Sequence, residues 1–74
     1  MTSATRRTIV NHPAGTLLNV ASYVWGLEPG TTIKIHSYVK TSKGYEVGYT
    51  ANGNAYQIPV ANLQNVISFG MITK

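Results

Sequence analysis

The groups able to do acid–base or nucleophilic chemistry are few: His12, His36, Glu28 and Glu46, with no cysteine and no aspartate in the 74 residues. Catalysis needs a nucleophile or base with a partner that tunes it. His12 precedes Pro13 in a turn-like cluster, and His36 shares its strand parity with Lys34. Glu28 and Glu46 are well separated, each in a turn or on a polar face, so spacing pairs none of them as acid and base. The chain is therefore expected to be no enzyme on its own. Two histidines without cysteine or aspartate make no plausible zinc set, and no cofactor motif is present.

The aromatic residues are the stronger signal. Tyrosine and tryptophan offer flat, amphipathic contact area at low entropy cost, which sugars and peptides exploit. Parity along the strands sorts them. Tyr38 alternates with Ile35 and Val39, which predicts that it points outward as a binding residue. Tyr45 and Tyr49 share a side with Val47 and are core or rim. Tyr56 shares parity with Ile58 and Val60 and reads as core. Trp25, the only tryptophan, lies in a loop that Leu27 anchors. His36 reads as a solvated strand residue with a secondary candidacy for ligand contact. Asn54 is primarily a turn former, and Asn62 falls in a helical turn.

The elements that must hold these residues centre on Thr31 to Val60, which reads as three antiparallel strands. Ile33, Ile35 and Val39 alternate with Lys34, His36 and Tyr38, the period of a strand with one apolar face. After a break at Thr41-Ser42-Lys43-Gly44 come Tyr45, Val47 and Tyr49 at the same period. Asn52-Gly53 tolerates positive φ and predicts a type I′ hairpin. The third strand ends near Pro59, which has no N–H and so belongs on an edge. Upstream, residues 1 to 7 read as a loose lead-in and Thr8-Ile9-Val10 as the start of a strand. Asn11 to Gly15 is a turn cluster, and Thr16 to Val20 is a short strand with Leu18 and Val20 inward. Pro29-Gly30 predicts a type II turn. Downstream, Ala61 to Asn65 reads as a single helical turn and Val66 to Ile72 as a final strand, apolar on both faces. No apolar spacing of 3, 4 and 7 persists over three turns, so no α-helix is predicted. Several short strands with regular turn signals indicate an all-β sandwich or small barrel in one domain.

Composition bounds the partners. A chain this short buries only about 60–65% of its extended surface, and it has no disulfide to reinforce it. Small scaffolds of this kind often gain stability by oligomerising, so a homo-oligomer is expected, with the two-faced final strand as its contact. Charged residues are 11% of the chain, against roughly 25% in ordinary soluble domains. The polar surface is instead Thr, Ser, Asn and Gln, which suits a neutral polar ligand. The net charge of +4 favours anionic partners such as nucleic acid or an anionic cell wall, but its cations are scattered. No apolar run approaches the ~20 residues of a membrane span, so no membrane partner is expected. The start MTSATRR lacks the apolar segment of a signal peptide.

Two stretches resemble a known family. Leu18-Asn19-Val20-Ala21-Ser22, followed by Gly26-Leu27-Glu28-Pro29-Gly30-Thr31, is similar to the start of bacterial SH3-type (SH3b) domains. His36-Ser37-Tyr38-Val39, Gly44-Tyr45, Tyr49 and Tyr56-Gln57-Ile58-Pro59-Val60 resemble the branch at the C-terminus of Gram-positive phage endolysins. IPVANL is similar to the end of SH3 domains, where a strand passes through one 3₁₀ turn into a closing strand. The resemblance covers roughly residues 16 to 66. It implies an SH3-like barrel of five to seven strands that binds peptidoglycan or teichoic acid and targets a lytic enzyme to the wall. The domain would be made in the host cytoplasm and act at the bacterial wall, as a subunit that assembles with a full-length endolysin. The family places a tyrosine near Tyr56 beside its groove, and SH3 domains place a polar groove residue at the turn that holds Asn62. The chain departs from the pattern at Ala21, in the shortened Tyr23-Val24-Trp25 loop and at Val47, places that border the ligand groove in the family. A nucleic-acid-binding small β-barrel, or a structural or inhibitory phage protein, are the alternative readings.

Overall fold

The computed structural model describes residues 3–74. It contains α1 (Ser3–Asn11), β1 (Leu17–Val20), β2 (Thr32–Thr41), β3 (Gly44–Ala51), β4 (Asn54–Pro59), α2 (Val60–Ser68) and β5 (Ile72–Thr73). The strands form one five-stranded antiparallel sheet in the order β4-β3-β2-β1-β5. Among the described residues no ladder joins β4 to β5, so the sheet does not close into a barrel. The protein is a small β-rich domain with two short helices.

The meander forms as the alternation requires. Asn52 and Gly53 both take positive φ, 53° and 80°, and connect β3 to β4, the left-handed pair of a type I′ turn whose twist matches its strands. At Pro29-Gly30 the Thr31 amide donates to the Glu28 carbonyl at 3.2 Å, with Gly30 at φ 93°, as a type II turn needs. Pro59 closes the edge strand β4 and caps α2 with φ −58°.

The core lies between one sheet face and α2. Leu18, Val20, Ile33, Ile35, Val47, Tyr49 and Ala51 meet Val60, Leu63 and Val66 from α2, Val24 and Leu27 from the loop after β1, and Ile72 from β5. The other sheet face carries Leu17, Lys34, His36, Val39, Glu46, Thr50, Ala55 and Gln57, in the polar-out pattern of an antiparallel sheet with one solvated side.

Both ends of the chain depart from the sequence-based expectation. Ser3 to Arg7 are helical rather than loose, and Thr8-Ile9-Val10 continue that helix instead of starting a strand; residues 1 and 2 lie outside the described residues. The expected single turn at Ala61 to Asn65 is part of a nine-residue helix. Val66 and Ile67 belong to it, so the final strand is only Ile72–Thr73 and is not apolar on both faces. In α2 the spacing Val60, Leu63, Val66 puts the apolar groups on one side. A nine-residue segment holds too few turns for periodicity to separate helix from strand.

Inside β2 the register shifts. Ile35 stands opposite Tyr49, whereas Ser37 stands opposite Gly48. The one extra residue is a β-bulge, and past it every side chain changes face. Tyr38 therefore pairs with Val47 on the core side, and Val39 turns out to solvent at 40% exposure. Gly48 leaves room for the bulge, since a β-carbon there would stand 3.2 Å from the Ser37 hydroxyl.

Candidate functional site

Three aromatic rings form a row across the sheet. Tyr49 and Tyr56 are cross-strand partners on β3 and β4. Their ring centroids are 5.1 Å apart with planes inclined by 23°. Trp25 stacks on the other side of Tyr49 at 5.3 Å and 25°. Tyr49 is buried between its neighbours, Tyr56 is 40% exposed and Trp25 is half-buried. Such offset stacks contribute about 0.5–1.5 kcal/mol per pair beyond area burial.

The turn that delivers Trp25 is unusual. Val24 and Leu27 exchange backbone hydrogen bonds of 3.2 and 2.8 Å around Trp25-Gly26. Both central residues take positive φ, 54° at Trp25 and 75° at Gly26. A bulky residue in the left-handed region costs about 1–3 kcal/mol and persists only where its surroundings hold it. Leu27, 4% exposed, pins the turn into the core, and the stack on Tyr49 offsets part of the strain. Tyr23, two residues earlier, is 64% exposed; strand parity does not reach it, although it shares the loop with Trp25.

The remaining candidates are placed elsewhere. Tyr38 does not face solvent: its hydroxyl donates to the His12 carbonyl at 2.5 Å and its ring packs against the core. Burial pushes its phenol up to about 12. Tyr38 thus ties the end of α1 to the sheet. Tyr45 is half-buried beside the core. Tyr56, expected in the core, is 40% exposed on the edge strand β4. Burial, and then the neighbouring Tyr56 phenol, raise the Tyr49 phenol. His36 stands on the opposite, solvated face, where Nε2 and the Thr50 hydroxyl share a 3.0 Å hydrogen bond. Asn54 opens β4, and Asn62 is an exposed residue of α2 rather than of a 3₁₀ turn. The structure therefore gathers Trp25, Tyr49 and Tyr56 and leaves Tyr38, Tyr45, His36, Asn54 and Asn62 outside that row.

A concavity of about 300 Å³ lies between α1 and α2 and is lined by Arg7, Asn11, His12, Gln64 and Ser68 among others. His12 Nδ1 is buried there without a hydrogen-bond partner among the described residues. Burial, and then the positive charge of Lys74, lower its pKa from the ordinary 6.5. Glu46 lies apart from this groove and accepts a 2.5 Å hydrogen bond from Gln57 on the solvated face. Among the described residues no three His, Cys, Asp or Glu side chains group as metal ligands, and no helix is long and apolar enough to cross a membrane.

Comparison with family models, curated proteins and solved structures returns no match to this chain.

Proposed function

We propose that this chain is a non-catalytic binding module for cell-wall polymers of Gram-positive bacteria, acting as a targeting domain or subunit of a phage endolysin. The row Trp25–Tyr49–Tyr56 carries the reading. It offers stacked, partly exposed rings, which suit the apolar faces of a glycan or the flat groups of a peptide. The net charge of +4 adds attraction to anionic wall polymers.

The strand plan supports the same reading. A first strand, a loop bearing Trp25, a three-stranded meander and a helical segment lead to a last strand antiparallel to the first. This order is similar to the one expected of an SH3-like domain, with α2 in the place of the expected 3₁₀ turn. The ligand surface is then the side where the Trp25 loop meets β3 and β4.

The test is co-sedimentation of labelled protein with purified Gram-positive walls, before and after stripping teichoic acid, at low and high salt. Retention on both preparations is expected for a peptidoglycan ligand, and loss only on stripping moves the ligand to the anionic polymer. Trp25→Gly removes the ring while leaving a residue that favours the left-handed turn. It is expected to weaken retention by about tenfold or more with an unchanged circular dichroism spectrum. Absence of wall binding, with steeply salt-dependent binding to single-stranded DNA, would replace this reading with nucleic-acid recognition.

A further inference from the structure

The sheet has two edges that are treated differently. At one edge, β5 is only two residues long, and a short edge strand is itself a protection against pairing. At the other, β4 runs for six residues. Its sequence Asn54-Ala55-Tyr56-Gln57-Ile58-Pro59 has no lysine, no other charge and no bulge, and only the terminal proline is protective. Among the described residues no strand pairs with its outer side, and Asn54 to Gln57 are all exposed.

The hairpin determines which backbone groups face outward. In a type I′ turn the flanking residues, Ala51 and Asn54, close it with a backbone hydrogen bond. Hydrogen-bonded and non-hydrogen-bonded pairs then alternate along the antiparallel ladder. Tyr49 with Tyr56 and Val47 with Ile58 are thus bonded pairs. Ala55, Gln57 and Pro59 direct their peptide groups to the open edge. Pro59 falls in the set whose N–H has no partner in the sheet, the place where proline is tolerated.

We propose that β4 joins two copies of this chain, antiparallel about a two-fold axis at Tyr56. The strand is its own complement in that register. Ala55 stands opposite the second copy's Gln57, and each such pair exchanges both backbone hydrogen bonds. Tyr56 faces its own counterpart in a non-bonded pair, with Cα atoms about 4.5 Å apart, so the aromatic row continues from one copy into the next. A shift of two residues one way sets Pro59 opposite Ala55 and forfeits N–H donors. The same shift the other way sets the turn residue Gly53 opposite Gln57. No charge is brought against a like charge within the strand, although each copy carries +4 overall. An isologous contact of this kind closes and does not propagate.

Sedimentation equilibrium of the full chain over micromolar to millimolar concentration tests the proposal. A concentration-dependent monomer–dimer equilibrium is expected. Gln57→Pro deletes an outward N–H without touching the ladder to β3, and is expected to raise the dimer dissociation constant roughly tenfold or more with an unchanged circular dichroism spectrum. Tyr56→Lys, which sets two like charges face to face, is expected to give monomer as well. Trp25→Gly is expected to dimerise normally, which separates this contact from wall binding. A monomer at every concentration overturns the proposal, and so does a dimer whose constant is the same in the folded Gln57→Pro and Tyr56→Lys variants. Monomeric chain that captures an extended peptide along β4 overturns it too, in favour of a foreign strand.

Discussion

The two helices have the same length, nine residues each, and opposite means of support. α2 buries Val60, Leu63 and Val66 against the sheet, whereas α1 buries only Thr8. α1 is rich in β-branched residues (Thr5, Thr8, Ile9 and Val10), which lowers its intrinsic propensity, and the Thr8 hydroxyl donates back to the Ala4 carbonyl at 3.0 Å. Isolated helices of this length are marginal in water. α2 is therefore held by the hydrophobic core. α1 is held by its packing on α2 and by polar ties just beyond its end: the Tyr38 hydroxyl on the His12 carbonyl, and the Gly15 amide on the Ile35 carbonyl at 2.7 Å. The contrast shows that an element can be fixed by the contacts of its neighbours rather than by its own apolar face.

Breaking the stronger side of the comparison should have the largest effect. Leu63, 1% exposed, contributes to the core from the middle of α2. Leu63→Ala is expected to cost about 2–5 kcal/mol, visible as a lower urea midpoint for the whole cooperative transition. The weaker side predicts a smaller and local loss. Tyr38→Phe removes the tie to His12 at about 1 kcal/mol. Amide exchange should then accelerate across Ser3–Asn11 while Val47 and Tyr49 stay protected.

Acid should sharpen the same contrast with a still smaller effect. The His12 pKa is lowered, so the folded state favours the neutral ring. Its stabilising contribution is complete above the ordinary value of 6.5 and is lost as pH falls from there through the lowered folded value. The groove around it offers Arg7, Asn11, Gln64 and Ser68 and no carboxylate to compensate. Protection factors in α1, corrected for the intrinsic exchange rate, are expected to fall as the pH drops below 6.5, with α2 unaffected, and His12→Gln should abolish the change. Alkali acts through Tyr38. Its raised phenol stabilises the folded state below the ordinary value of 10.0, and this is lost as pH rises through about 12. Spectrophotometric titration should show one tyrosine ionising last.

Much of the centre is legible in the residue pattern. The strand alternation gives Ile33, Ile35, Val47 and Tyr49 their shared core face, and Leu18, Val20 and Leu27 are buried as their positions suggest. Tyr49, Tyr56 and Trp25 all stand out as candidates, but neither their stacking nor the burial of Tyr49 between the other two is written in spacing. Parity misplaces Tyr38 for one physical reason. A bulge inserts a residue without any change of composition, and a single slip inverts the faces of every residue beyond it. The oligomer expectation rests on a C-terminal strand whose first three residues, Val66 to Ser68, are helical; the proposed contact uses the uncharged edge of β4 instead.

The sequence alone determined the local geometry. Asn52-Gly53 and Pro29-Gly30 impose their turns by backbone sterics, and Pro59 ends its strand for lack of an N–H. The tertiary structure decided the identity of the terminal segments and the face shown by Tyr38. Residues 60–68 and 3–11 are too short for propensity to choose a state, so docking onto the sheet and onto one another chooses it. The same holds for Trp25: only the combined anchoring by Leu27 and Tyr49 holds its ring in a backbone conformation that a tryptophan would otherwise avoid.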